Sequence, residues 1–343
     1  MKKSPTLAEW KKLYEAVMKV KDIEPWLWLE EIDLFAVENP ETRELGFVSV
    51  MGAIGEHYSI AVYLGEISLA RFWHFQESES DDFSYQKLLE MRQLQASFED
   101  RNFLHKDDRQ IIKELSLTFR GRNEWPMFRK YEPGFYPWFI NASEARFLTH
   151  ALEQTVNVAL RAEEDPSILL PDDDYSYLLR RKVKRGSSHV WQDDIWHESM
   201  IDPELVEPVV DMIALEKAKH LALRNVTVEV DLFMIPQPTL EEGSEPFYPY
   251  IIVLLETSHG MIVGHKVAPP LPDLESMQAK IPLLLLNIFS TISYVPAKIR
   301  VDSPLLYGLF EHLSEHLDIT IEKVDKLQVA PEARASFLKF ANR

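Results

Sequence analysis

The stretch VTVEVDLFMI, residues 226–235, decides how the C-terminal third of the chain is interpreted. Its polar and apolar side chains alternate, and strict alternation over four to eight residues predicts a β-strand. Glu229 and Asp231 lie on the same face of that strand, because side chains two residues apart point the same way. Either this face of the sheet is exposed to water, or its carboxylates face a metal ion.

The sequence after this strand predicts an ordered series of further elements. Two apolar runs, YIIVLLE (250–256) and MIVGHKV (261–267), flank a turn at 258–260 and predict a hairpin whose first strand is buried on both faces. Helices are predicted over 273–292, 304–317 and 331–341, and strands over 297–302 and 319–324. From residue 226 onward, the predicted order is therefore β-β-β-α-β-α-β-α.

This order, a hairpin first and parallel crossovers after it, resembles the ribonuclease-H-like fold and is most similar to the integrase and transposase catalytic core. VEVDLF looks like that family's first strand, which bears a catalytic aspartate, and YIIVLLETSHGMIVGHKV looks like its second and third strands. PAKIRVDSPLLYGLFEHLSEHLDITIE looks like the fourth strand, the aspartate that ends it, a helix and the fifth strand. The resemblance covers residues 225–343.

The resemblance implies a metal-dependent site. Asp231 and Asp302 would lie on adjacent strands as the metal-binding pair, and Glu332, the only acidic residue of the final helix, would be the third catalytic carboxylate. Such oxygen ligands suit Mg²⁺. Two such ions would activate a water molecule and stabilise the leaving oxygen of a phosphodiester.

Two features depart from the pattern of that family. Asp302 is followed by Ser303 and Pro304, which start a helix at once, where the family usually has a small residue and a glycine. The formal net charge of −18 repels nucleic acid unless a local basic patch overrides it. We therefore expect a non-catalytic binding or regulatory protein with a degenerate ribonuclease-H-like domain, whose partner is a protein or a small molecule. The alternative is a Mg²⁺-dependent nuclease or integrase-like enzyme.

The N-terminal part predicts a domain with a mixed antiparallel sheet, which together with the C-terminal part gives an α/β (α+β) fold class. Strand-like runs over 32–38, 45–52 and 57–65 are separated by turn sequences and predict a meander. The pattern also predicts a helix within 85–98 and a strand over 114–121.

The segments FVSVMGAIGEHYSIAVYLG (47–65) and EPGFYPWFI (132–140) resemble bacterial two-domain proteins of unknown function. This resemblance implies no activity. We expect an N-terminal domain over 1–165, a linker, basic hairpin and helix over 166–224, and the ribonuclease-H-like domain over 225–343.

A basic cluster within residues 177–198 has two interpretations. The hairpin is predicted to turn at Gly186, and its first strand carries Arg180, Arg181, Lys182, Lys184 and Arg185. These cations could follow a phosphate backbone or contact an acidic partner. Alternatively, they protect an edge strand, and the acidic runs 172–174 and 193–194 neutralise them.

His312, Glu315 and His316 form the pattern H-x-x-E-H on the predicted helix 304–317. Two histidines four residues apart on one helix face could bind zinc. The alternative is a solvent-exposed polar face opposite the apolar one.

The amino-acid composition indicates the cellular compartment of the protein. The 343 residues include no cysteine, which excludes disulfides and thiolate metal sites and fits a reducing compartment. The charged N-terminal residues do not predict a secretory signal, and the apolar stretch 281–289 is too short to span a bilayer. We expect a cytoplasmic protein without a membrane partner.

Overall fold

The computed structural model describes residues 3–55, 57–77, 89–170, 175–199, 206–240 and 245–341. The chain forms two compact units. Unit one comprises Met1–Glu132 and Pro137–Pro203, and unit two comprises Pro133–Tyr136 and Glu204–Arg343. Each unit contains a mixed sheet with helices, in agreement with the predicted α/β (α+β) class. Where the sequence predicted a separate region over 166–224, the structure continues unit one to Pro203.

Unit one is a seven-stranded sheet with helices. Its helices are α1 (Leu7–Ile23), α2 (Gly65–Glu77), α3 (Lys106–Glu114) and α4 (Ala142–Glu164). Its strands are β1 (Phe35–Glu38), β2 (Leu45–Met51), β3 (Tyr58–Leu64), β4 (Gln93–Glu99), β5 (Trp125–Tyr131), β6 (Ser176–Arg185) and β7 (Ser188–His197). The strand order is β5-β4-β3-β2-β1-β6-β7, and neighbours are antiparallel except β1 and β6. The predicted meander is therefore confirmed.

Strand β4 contradicts the helix predicted within 85–98. Its apolar residues Leu94, Ala96 and Phe98 alternate with polar ones and belong to the core cluster that α1 and α4 also form. Pairing with β3 and β5 buries that alternation, so tertiary context overrides the local helical pattern. The strand predicted over 114–121 is also wrong, because α3 occupies 106–114 and the chain then turns through Ser116 with φ +56°.

The basic hairpin is part of the sheet of unit one. It turns at Gly186, as predicted, but β6 lies between β1 and β7 and is not an edge strand. Arg180 pairs with Asp193, and Arg181 donates to Asp194 at 2.7 Å. The acidic pair at 193–194 therefore neutralises Arg180 and Arg181, two of the five cations of the cluster, whereas residues 172–174 lie outside the described ranges.

Unit two is a five-stranded sheet with helices. Its helices are α5 (Met212–Lys219), α6 (Leu274–Gln278), α7 (Ile281–Ile292), α8 (Pro304–Ser314) and α9 (Ala330–Ala341). Its strands are β8 (Ala222–Met234), β9 (Tyr250–Glu256), β10 (Met261–Ala268), β11 (Tyr294–Val301) and β12 (Thr320–Lys323). The strand order is β10-β9-β8-β11-β12. Strand β9 is antiparallel to β8 and β10, while β11 is parallel to β8 and β12.

The elements of unit two follow the predicted order, with one helix divided in two. The helix predicted over 273–292 splits into α6 and α7 because Pro282, which lacks a backbone N–H, lies in the first turn of α7. In the described part of the chain, no helix is long and apolar enough to cross a membrane.

Helix α9 packs on one face of β8. Val253 and Leu255 of β9 share a face with Phe233 of β8 and join a buried cluster with Leu327 and Ala330 at the start of α9. Helix α7 packs on the sheet through contacts with β9, β10 and β11. The strand at 226–235 is thus covered, and its acidic face lies toward α9.

Candidate functional site

The Glu229 carboxylate holds the start of α9. It is 1% exposed and accepts hydrogen bonds from the backbone N–H groups of Gln328 (2.8 Å), Val329 (2.8 Å) and Ala330 (2.9 Å). The first N–H groups of a helix have no partner within the helix, and its dipole favours a negative charge there. Glu229 therefore provides, from strand β8, the hydrogen-bond acceptor that an N-cap side chain usually provides at the start of a helix.

Asp231 binds the next turn of the same helix. Its carboxylate is 3% exposed, and both oxygens accept from the Arg334 guanidinium, at 2.9 Å from Nε and 2.6 Å from an Nη. The guanidinium also lies over the Phe233 ring, 5.5 Å from its centroid. These hydrogen bonds and the negative charges of Asp231 and Asp302 raise the pKa of Arg334 above its ordinary value, against the opposing effect of burial.

The spacing of strand and helix makes this double contact possible. Two residues along a strand advance about 6.6 Å. Four residues along a helix, from Ala330 to Arg334, advance about 6 Å. Glu229 and Asp231 therefore meet successive turns of α9, and the polar pair in an otherwise apolar strand attaches the final helix to the sheet.

A pocket of about 350 Å³ lies beside this contact. Asp231, Asp302, Lys326 and Arg334 line it, together with apolar side chains that include Leu338. Asp302 directly follows β11, which pairs with β8, so the two aspartates come from adjacent strands and share one pocket. Among the described residues, Asp302 forms no hydrogen bond or ion pair.

Glu332 does not share the pocket with the two aspartates. It is an exposed residue in the first turn of α9 and is not among the residues that line the pocket. Pro331 and Arg334 of the same helix do line it. The catalytic roles of Asp231, Asp302 and Glu332 stay a prediction.

The donor atoms of this pocket do not fit a Mg²⁺ ion. Both oxygens of Asp231 are engaged by a guanidinium, and Lys326 adds a second cation to the lining. Nowhere in the described ranges do three histidine, aspartate or glutamate side chains come together to hold a metal. Arg334 and Lys326 were not predicted from the sequence. The final helix carries two basic residues, Arg334 and Lys339, and no sequence pattern links either of them to Asp231.

The H-x-x-E-H pattern is not carried by one helix. Helix α8 ends at Ser314, so Glu315 and His316 lie beyond it, which corrects the predicted helix 304–317. Both ring nitrogens of His312 are buried, and neither has a hydrogen-bond partner among the residues that the structure describes. Burial lowers the pKa of His312, and the nearby Leu309 carbonyl offsets only part of this effect.

His312 should make unit two sensitive to acid. With a lowered pKa in the folded state, the unfolded chain binds a proton more readily, so stability falls as pH drops below about 6.5. The variant His312→Leu is expected to show a smaller difference in melting temperature between pH 8 and pH 5.5 than the wild type, by calorimetry. The exposed His259→Gln serves as the control. An unchanged difference in His312→Leu would contradict the assignment.

These features define a two-unit α/β protein whose described C-terminal pocket joins two aspartates to two basic side chains. Residues 10–180 match a family described as Domain of unknown function (DUF7309). Residues 214–338 match a second family, Domain of unknown function (DUF6930). No curated protein and no solved structure matches the chain.

Proposed function

We propose that the protein is a non-catalytic binding or regulatory protein whose second unit is a degenerate ribonuclease-H-like domain. The strand order β10-β9-β8-β11-β12 supports the fold assignment. The antiparallel strands β8, β9 and β10 come first in the chain, and β11, which follows them, runs parallel to β8. The absence of cysteine supports a reducing compartment such as the cytoplasm.

The ion pair between Asp231 and Arg334 is the main observation that supports a non-catalytic role. Arginine stays protonated at all physiological pH values, so its guanidinium is a permanent cation on both oxygens of Asp231. A divalent ion would have to displace it and then leave the arginine charge unpaired. A carboxylate used in this way stabilises the domain and is unsuited to metal chemistry.

The pocket beside the ion pair suits a ligand with an apolar part and a charged group. Its volume of about 350 Å³ lies within the range of small-molecule sites. Lys326 and Asp302 could bind a charged group, while Leu327 and Leu338 offer apolar contact. A small molecule or a short protein segment fits this description, whereas the net charge of −18 disfavours nucleic acid.

A cleavage assay with Mg²⁺ or Mn²⁺ tests the proposal. Wild type and Asp302→Asn are incubated with labelled single- and double-stranded DNA and RNA, and the melting temperature is measured as either ion is added. We expect no cleavage above background and no shift in either protein. Cleavage by the wild type that Asp302→Asn loses would overturn the non-catalytic assignment.

The alternative function is Mg²⁺-dependent phosphodiester cleavage through Asp231, Asp302 and Glu332. One observation favours it: the two aspartates come from paired parallel strands and line the same pocket. Equal loss of cleavage in Asp231→Asn, Asp302→Asn and Glu332→Gln would support this alternative, and activity that survives all three would exclude it.

A further inference from the structure

Unit one contains a larger pocket of a different character. Its volume is about 550 Å³, and its walls come from α3, from the chain between α3 and β5, from the first residue of β5 and from Arg101. Three cations line it, Arg101, Arg109 and Lys113, and the described lining residues include no carboxylate. The aromatic rings of Phe119 and Trp125 also line this pocket.

The three cations of this pocket have no anionic partner among the residues that the structure describes. The acidic side chains next to these cations in the chain are engaged elsewhere. Asp108 pairs with Arg129 at 2.6 Å, Glu114 accepts from Gln110 at 2.9 Å, and Asp100 accepts from the Asn123 backbone N–H at 3.0 Å. Residues 101–122 include six basic and three acidic side chains, in a chain of net charge −18. The pocket is therefore a local positive region on an acidic protein.

The positions of Arg109 and Lys113 lower the stability of helix α3. They lie four residues apart on α3, and like charges at that spacing repel each other on a helix surface. On the neighbouring face, Gln110 donates to Glu114 at 2.9 Å, which is the stabilising arrangement. A bound anion would remove the repulsion between Arg109 and Lys113.

The aromatic side of the pocket offers a surface for a flat ring. The Phe119 and Trp125 rings are 5.9 Å apart at 61°, and the Arg101 guanidinium lies over Trp125 at 5.7 Å from the ring centroid. Both rings are partly exposed. Arginine and tryptophan stack on planar ligands, and arginine also binds phosphate through two parallel hydrogen bonds.

We propose that this pocket binds a mononucleotide: a phosphate ester that carries a planar aromatic base. The cations of α3 bind the phosphate, Trp125 and Arg101 contact the base, and the Ser116 and Thr118 hydroxyls supply further polar contacts. A volume of about 550 Å³ is within the range of sites for ligands of this size. A longer polyanion is disfavoured, because the rest of the chain is strongly acidic.

Calorimetric titration of the full chain with AMP, adenosine, inorganic phosphate and a short single-stranded oligonucleotide tests the site. We expect AMP to bind at least about tenfold more tightly than adenosine, which lacks the phosphate, and than inorganic phosphate, which lacks the base. Affinity should fall as salt is added. Tighter binding of the oligonucleotide than of AMP would assign the site to nucleic acid strands and overturn the mononucleotide assignment.

Variants identify the residues responsible. Arg109→Gln/Lys113→Gln and Trp125→Leu should each weaken AMP binding by about tenfold or more. Arg122→Gln is the matched control, because the Arg122 side chain is 89% exposed and does not line the pocket. Arg109 and Lys113 are exposed and repel each other, so their replacement should not lower the melting temperature below that of the control. No binding of AMP, or equal binding by all variants, would overturn the proposal.

Discussion

Replacing Glu229 with alanine should detach the start of α9 and lower the free energy of unfolding of unit two by about 3–5 kcal/mol. The substitution leaves three backbone N–H groups, those of Gln328, Val329 and Ala330, without the acceptor that they have in the wild type. It also removes the negative charge that the helix dipole favours. Glu229→Gln, which keeps an acceptor oxygen but not the charge, should cost less.

Amide hydrogen exchange measures the effect of Glu229→Ala directly at the start of α9. The amides of 328–330 should exchange faster in Glu229→Ala, with peptides of α9 following. All eight tryptophans lie in unit one, so tryptophan fluorescence during denaturation reports that unit and should not change. Glu311→Ala, an exposed change on α8, is the control. Unaltered protection of 328–330 in Glu229→Ala would contradict the capping role.

Replacing Arg334 with alanine should destabilise unit two by about 2–3 kcal/mol, less than the full cost of breaking a fully buried pair. The side chain of Arg334 is 44% exposed and that of Asp231 only 4%, so the variant leaves a buried carboxylate without its partner, and water in the open pocket offsets part of the cost. The apolar double variant Asp231→Leu/Arg334→Met should recover most of the loss.

Denaturant unfolding followed by circular dichroism measures the Arg334 effect. Lys339→Ala is the matched control, since it removes an exposed cation from the same helix. A loss of stability in Lys339→Ala as large as that in Arg334→Ala would mean that the overall charge of α9, and not the contact with Asp231, is responsible.

Local patterns in the sequence were sufficient for much of the fold. The alternation at 226–235 and the apolar runs after it predicted the strands of unit two in their observed order. Local patterns gave wrong predictions where contacts between distant parts of the chain determine the secondary structure. Strand β4 takes its conformation from β3 and β5, and α3 has too few apolar residues for its periodicity to be recognised.

The resemblance to the ribonuclease-H-like fold implied that the two aspartates come from neighbouring strands, but the sequence did not predict what Asp231 binds. Its partner Arg334 is 103 residues away, and the partners of Glu229 are backbone groups 99–101 residues away. Backbone donors leave no trace in side-chain patterns. The positive pocket of unit one was missed for a similar reason, because Arg101, Lys113 and Trp125 meet only after α3 and β5 have packed.

A double-mutant cycle between Asp231 and Arg334 tests most directly whether the acidic face of β8 serves to hold α9. Free energies of unfolding of unit two are measured for wild type, Asp231→Ala, Arg334→Ala and the double variant. The Asp231–Arg334 contact predicts a coupling energy of about 1–3 kcal/mol, because each single variant removes the same interaction. Additive losses with no coupling would contradict the account and leave Asp231 free for another partner.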